Sequence, residues 1–308
     1  MTTAVCVAAI DIGTNSVLLT IATRTENAIV PVLERATITR LGKGVDRTRR
    51  LDPERVEATL SCLATYAKLI EAAGVSQLEV VGTSAMRDAH GGDDFCDRAE
   101  QLLGVRPRTI SGVEEAQLTF EGALVALDTT GDVVVVDIGG GSTEVIVGNV
   151  SASVTVSGAV SLDVGSVRLF ERHIVHDPPS AQELDAIRAD VRRALLQAPS
   201  PAAKATLVGV AGTVTTLLAI ELELESYEPL RVHNQRLSVQ ALERLARRLA
   251  RLPLAARREL KGLEPERADV IVAGAAILSE LASWAGAADV LVSDRGVRWG
   301  LVNRLLAS

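Results

Sequence analysis

The 308-residue chain is 47% hydrophobic and 23% charged, a composition that suits a globular protein with room for two ordinary domains. Aromatics make up only 2% and the formal net charge is −7, which argues against nucleic acid as a partner: single strands stack on aromatic platforms and duplexes need basic surfaces. There is no bilayer-length apolar run, no basic leader and no C-x-x-C pair among Cys6, Cys62 and Cys96, so the sequence predicts a cytoplasmic protein with reduced thiols and no membrane partner.

In chain order, residues 4–11, 16–23 and 28–40 read as consecutive strands separated by Gly13-Thr14-Asn15 and Glu26-Asn27. Asp52-Pro53-Glu54 combines an N-cap, a first-turn proline and an early acid, and opens a helix that Gly74 stops. A short buried strand over 77–82 delivers Thr83-Ser84-Ala85-Met86-Arg87 at its carboxyl end. A helix over about 92–103, a strand near Arg108 and a helix over about 113–127 complete the first half. Thr129-Thr130-Gly131-Asp132 is the predicted hinge, which divides the chain into domains 1–128 and 129–308.

Beyond the hinge, strands are predicted at 133–138, 143–149 and 152–157, and helices near 161–173 and 180–197. A strand at 207–211 runs into a small-residue turn at Gly212-Thr213, with a helix from near Val214. Helices near 238–251 and 266–285, a strand at 289–293 and a closing helix over about 297–306 follow, the last a candidate to pack back on the first domain. This alternation means α/β layers with helices covering mixed sheets.

One motif occurs twice. Asp11-Ile12-Gly13-Thr14-Asn15-Ser16 and Asp137-Ile138-Gly139-Gly140-Gly141-Ser142-Thr143-Glu144 each end an apolar strand in Asp, turn through small residues and start a second strand. Glycine lets successive N–H groups converge on an anion, and the hydroxyls add donors. The Asp that closes each strand suits Mg²⁺ or a water it holds. Two such hairpins predict two facing domains gripping one phosphate group. Arg87, at a strand's carboxyl end beside small residues, suits a bidentate phosphoryl clamp, against the plainer reading of a surface pair with Asp88. Ser111 and Glu114 fit a capping box, which leaves Glu115 without a capping task, but two adjacent acids keep both candidates for a general base open.

These residues, with Gly82-Thr83-Ser84-Ala85-Met86-Arg87-Asp88-Ala89, Ser111-Gly112-Val113-Glu114-Glu115-Ala116 and Gly209-Val210-Ala211-Gly212-Thr213, resemble the exopolyphosphatase / guanosine pentaphosphate phosphohydrolase (Ppx/GppA) family of the actin-like ATPase superfamily, in the family's order and across essentially the whole chain. The resemblance implies an α/β fold of two actin-like (ribonuclease H-like) domains with the active site in the cleft between them. It implies hydrolysis of the terminal phosphoanhydride of inorganic polyphosphate, with Mg²⁺ and a monovalent cation such as K⁺ as cofactors, and a homodimer. The family's water-activating glutamate aligns best with Glu115. Phosphate binding then falls to Asp11, Gly13, Thr14, Asn15, Ser16, Gly139, Gly140, Gly141, Ser142, Thr143, Gly212 and Thr213, with Arg87 as clamp and Asp137 and Glu144 as metal ligands. Because only the second hairpin carries the added Glu144, it is expected to hold the metal while the first cradles oxygens.

The competing readings are hydrolysis of guanosine pentaphosphate, an actin-like kinase using ATP, and a nucleotide-dependent binding module. The segment from Arg40 to Arg50 carries five basic residues against one acid and reads either as a landing site for a polyphosphate tail or as a solvated mobile loop. Arg244, Arg247, Arg248, Arg251, Arg257, Arg258 and Lys261 read as one solvated helix face. His90, His173, His176 and His233 do not cluster at metal-ligand spacing, which makes a zinc site improbable.

Overall fold

The computed structural model describes residues 5–26, 28–151 and 154–307. The chain divides into two units, one made of the chain up to Gly122 together with the closing segment from Val297, the other of Ala123–Gly296. The crossing at Gly122 lies ahead of the Thr129–Asp132 segment expected as hinge.

The first unit opens with strands β1 (Cys6–Ile12), β2 (Ser16–Arg24) and β3 (Ile29–Ile38), followed by the short helix α1 (Val45–Thr48) and the long α2 (Pro53–Ala72). Then come β4 (Gln77–Gly82), α3 (Ser84–Asp88), α4 (Asp93–Leu103), β5 (Arg108–Thr109) and α5 (Gly112–Ala123). The sheet order is β3-β2-β1-β4-β5, antiparallel across β1–β3 and parallel from β1 through β4 to β5. Helix α2 starts as expected, with the Asp52 carboxylate accepting from the N–H groups of Glu54 and Arg55 and Pro53 in the first turn. Strand alternation sorts the core. Ala8, Ile10 and Ile12 face Leu60, Leu63 and Tyr66 of α2 and Phe95 of α4, while Val7 and Ala9 face Leu118 of α5. Asp11 shares the register of Val7 and Ala9, so its side chain lies on the α5 face.

The second unit repeats the plan with β6 (Gly131–Ile138), β7 (Thr143–Val150), β8 (Val154–Leu162), α6 (Ser166–His173), α7 (Ala181–Leu195) and β9 (Thr206–Val210). It continues with α8 (Ala211–Glu221), α9 (Pro229–Val232), β10 (Gln235–Ser238), α10 (Val239–Arg251), α11 (Leu254–Arg258), a 3₁₀ turn at Pro265–Arg267, α12 (Ile271–Trp284) and β11 (Asp289–Val292). Its sheet runs β10-β11-β9-β6-β7-β8, again with an antiparallel trio (β6–β8) followed by strands parallel to the first (β9, β11). One face packs Val134, Val136 and Ile138 against α6, α7, α8, α10 and α12.

Three local expectations change. The third strand of the second trio extends to Leu162, and α6 therefore begins only at Ser166; positions 152 and 153 lie outside the described residues. The sequence reading ends this strand at 157, but Ser157, Gly158 and Ser161 sit in an edge strand where a Cβ at Gly158 would press on the Pro199 ring. Gly212 and Thr213 belong to the first turn of α8, because Ala211 adopts a φ of 67° that bends the chain from β9 into the helix without a loop. Helix α11 is separate from α10, and Arg257 within it is 2% exposed with Nη2 donating to Asp177 at 2.9 Å, so it leaves the solvated face to its neighbours.

The closing helix α13 (Val297–Ala307) packs on β1 and β2, with Leu301 and Val302 in the same core as Leu118. A Cβ at Gly300 would run into the Leu118 carbonyl of α5. Gly300→Ala is therefore expected to force the two helices apart and lower stability by about 1–3 kcal/mol, read as a lower urea midpoint with an unchanged denaturant slope.

Candidate active site

The two turns are built alike, residue for residue. In each, the glycine after the strand-ending Asp-Ile donates its N–H to the serine carbonyl three residues on, Gly13 to Ser16 and Gly139 to Ser142, both at 3.0 Å. Each turn is also held from behind by the segment after the third strand. The Gly42 N–H reaches the Thr14 carbonyl at 2.9 Å, and those of Thr39 and Arg40 reach Asn15 at 3.1 and 2.9 Å. The N–H groups of Val167 and Arg168 reach the Gly140 carbonyl at 2.9 and 3.0 Å, and Arg168 Nε donates to Gly141 at 2.5 Å. Both grips need a glycine at the point of closest approach, since a Cβ at Gly42 would strike the Thr14 side chain and one at Gly165 the Gly140 carbonyl. With their carbonyls tied down, Thr14, Asn15, Gly140 and Gly141 keep N–H groups that find no backbone acceptor among the described residues. That arrangement suits anions.

Around the first turn the polar side chains are buried as well. Thr14, Asn15 and Thr39 are at most 8% exposed, and Thr14 Oγ1, Asn15 Oδ1 and Thr39 Oγ1 have no hydrogen-bond partner in the described residues. A buried polar atom left unpaired costs about 1–3 kcal/mol, so such a cluster marks a place prepared for something polar.

The carboxyl ends of β1, β4 and β5 lie side by side, the position where open parallel sheets place ligands. Arg87, on α3 just beyond β4, donates through Nη1 to Glu115 Oε2 at 2.5 Å and to the Ile110 carbonyl at 3.1 Å. Its Nη2 and Nε have no protein partner among the described residues and remain free for a ligand. Asp88 is engaged by Ser84 instead, which disposes of the surface-pair reading. Glu115, in the first turn of α5, is 6% exposed. Burial pushes its carboxyl above the usual carboxylate range, and the Arg87 guanidinium opposes that rise without cancelling it.

The neighbouring acid is placed differently. The Glu114 N–H donates to Ser111 Oγ at 3.2 Å, the expected half of the capping box, but its carboxylate turns to Arg108 at 2.7 Å, and Arg108 also holds Glu79.

In the second unit Asp137 and Glu144 are directly opposed across β6 and β7, and Ser161 is opposed to Glu144 on β8. Opposed residues share a face with Cβ atoms about 5 Å apart, so the two carboxylates belong to one patch. Glu144 is 1% exposed and accepts from Ser161 Oγ at 2.6 Å. In the first unit Asp11 is opposed to Leu18, so that patch has a single carboxylate. Two hard oxygen donors fit Mg²⁺, which is commonly bound through one or two carboxylates and completed by water and phosphate oxygens. Among the described residues no group of three or more His, Cys, Asp or Glu is arranged to hold a metal ion by itself; His173 pairs with Asp190 and His176 with Glu183.

The sequence profile of the Ppx/GppA phosphatase family matches residues 20–308. Exopolyphosphatase 2 of Mycobacterium tuberculosis is 37% identical over 96% of this chain and 97% of its own. The chain belongs to the Ppx/GppA family. Among solved structures, an exopolyphosphatase-like protein superposes with a TM-score of 0.92 at 36% identity, covering 98% of this chain and 99% of that one. The Aquifex aeolicus Ppx/GppA enzyme gives 0.83 at 33% identity, covering 99% of this chain and all of its own.

This Ppx/GppA chain holds site features that its sequence did not announce. Arg168 is 6% exposed and braces the second turn, yet it sits in an unremarkable amphipathic helix pattern. Arg267 lies against Gly212, where a Cβ would meet its guanidinium, and so puts positive charge beside the first turn of α8. Thr39 gives no signal, because the sequence places it inside the strand read over 28–40, whereas β3 ends at Ile38. Only its burial beside the first turn draws it in.

Proposed function

We propose that the protein is an exopolyphosphatase that releases orthophosphate from the terminal phosphoanhydride of inorganic polyphosphate. The observation that carries this reading is the Arg87–Glu115 pair at the carboxyl ends of β4 and β5, beside a turn with open N–H groups. Anhydride hydrolysis requires neutralised oxygens, a water in line with the leaving oxygen, and a group to take that water's proton. The N–H groups of the first turn and the free N–H groups of Arg87 donate to phosphoryl oxygens; in the second unit, taken by itself, the N–H groups of Gly140 and Gly141, with Gly212 and Thr213 at the start of α8, are likewise suited to phosphate. Glu115 accepts the proton as the water attacks the terminal phosphorus, and the bridging P–O bond breaks with its electron pair leaving on the shortened chain. Asp137 and Glu144 would hold Mg²⁺, which neutralises charge on the phosphoryl oxygens.

A base must be ionised to act, so activity falls as the pH drops through the Glu115 pKa, and that acid limb is expected above the ordinary glutamate value of about 4.3. Arg87 lowers this pKa, so Arg87→Gln is expected to move the limb to higher pH as well as to weaken catalysis. A pH profile of kcat/KM for both proteins checks the direction of the shift. The substrate itself is tested by orthophosphate release measured side by side on short polyphosphate, long polyphosphate, guanosine pentaphosphate and ATP. Polyphosphate turnover is expected. Turnover confined to guanosine pentaphosphate, or to ATP with an acceptor, would overturn the assignment.

A further inference from the structure

The basic segment from Arg40 to Arg50 has no part in the chemistry above, yet it is fixed at both ends to elements that carry it. At one end Gly42 grips the Thr14 turn. At the other, the His90 N–H donates to the Arg49 carbonyl at 2.8 Å, and Arg50 forms a bridge to His90, just beyond the helix bearing Arg87. Between these anchors the chain is folded, not a loose loop: Leu41 and Val45 are buried, and α1 spans the middle.

This folding turns Lys43, Arg47, Arg49 and Arg50 outward, all exposed and none with a side-chain partner among the described residues. Next to them is a pocket of about 510 Å³ lined by Arg50, His90, Arg98, Glu57 and Asp94 among others. Glu57 is already bound by Arg98, and Asp52 is occupied with the N-terminus of α2, so these acids do little to neutralise the exposed cations. On a chain of net charge −7, a local excess of unpaired cations beside the first turn is what a polyanion would meet.

We propose that Lys43, Arg47, Arg49 and Arg50 hold the tail of a linear polyphosphate whose terminal phosphoryl lies at Arg87 and the Thr14–Asn15 turn. The surface thereby makes the first unit sensitive to chain length. The proposal rests on the polyphosphate reading of the site. Each added phosphoryl brings a further negative charge, so a long chain reaches cations that tripolyphosphate does not. The contacts are solvent-exposed and screened by salt.

The test compares wild-type protein, a variant with Lys43→Ala, Arg47→Ala, Arg49→Ala and Arg50→Ala, and a control with Arg248→Ala, Arg251→Ala and Arg258→Ala. Orthophosphate release is measured on tripolyphosphate and on a long polyphosphate at low and high salt. The first variant is expected to lose about tenfold or more in kcat/KM on the long chain, through KM, while tripolyphosphate stays within about twofold. Its long-to-short preference should no longer depend on salt, and the control should resemble wild type. Equal losses on both substrates, no loss on the long chain, or the same loss in the control would each overturn the tail site. Wild-type protein inactive on both polyphosphates would instead overturn the functional reading beneath it.

Discussion

Glu115→Gln is expected to reduce orthophosphate release from polyphosphate by about 10²–10⁴-fold, the range that removal of a general base costs. Gln keeps the shape and can still accept from Arg87, so the loss isolates proton acceptance. The same change should leave the fold intact. Glu115 is buried, and its ionised form is already disfavoured by that burial. A neutral side chain there relieves a desolvated charge, while Arg87, partly exposed, retains the Ile110 carbonyl. Thermal unfolding of Glu115→Gln should therefore match wild type or exceed it. Glu114→Gln is the informative contrast. Its carboxylate serves an exposed arginine, and such pairs contribute about 0–1 kcal/mol, so activity should stay within a few-fold. Initial rates for the two variants, taken side by side, separate the adjacent acids.

Glu144→Gln is expected to give the second large loss, at least the ten- to hundredfold that perturbing a metal's immediate partners costs, with more Mg²⁺ needed for half-maximal rate. The amide oxygen can still accept from Ser161, so the hairpin should hold while the carboxylate charge is lost. Calorimetric titration of Mg²⁺ gives a readout independent of turnover: weaker binding in Glu144→Gln, and again in Asp137→Asn. Unchanged Mg²⁺ affinity in both variants would remove these residues from the metal's ligand set. Leu18, the counterpart of Glu144 in the first hairpin, predicts that the corresponding Asp11→Asn change has little effect on Mg²⁺ affinity.

The parts of the site that were legible in the sequence are those that depend on local chemistry. The duplicated turns could be read because glycine, small hydroxyls and a terminal Asp must be adjacent to make a nest. The α2 start could be read because a cap is a contact within a few residues. What lay hidden depends on distant chain. Glu114 and Glu115 differ only in which way the first turn of α5 faces, and that is fixed by Arg108 and Arg87 arriving from β5 and α3. The grips by Gly42 and Gly165 leave no trace in sequence because their partners lie in turns two strands back along the chain. Arg257 looked like part of a charged face until Asp177 and the break after α10 placed it inside. The full length of β8 is hidden because Pro199, which packs over Gly158, is far along the chain.

In the proposed reaction, water attacks the terminal phosphorus of a polyphosphate chain. Hydrolysis of a defined-length polyphosphate in ¹⁸O-labelled water, with the products separated by chain length and the orthophosphate analysed by mass, tests it most directly. Attack at the terminal phosphorus gives orthophosphate carrying one solvent oxygen, together with chains shortened one phosphoryl at a time. Unlabelled orthophosphate would put the attack on the penultimate phosphorus, and mid-length fragments would put it inside the chain; either result would rule out terminal attack by water.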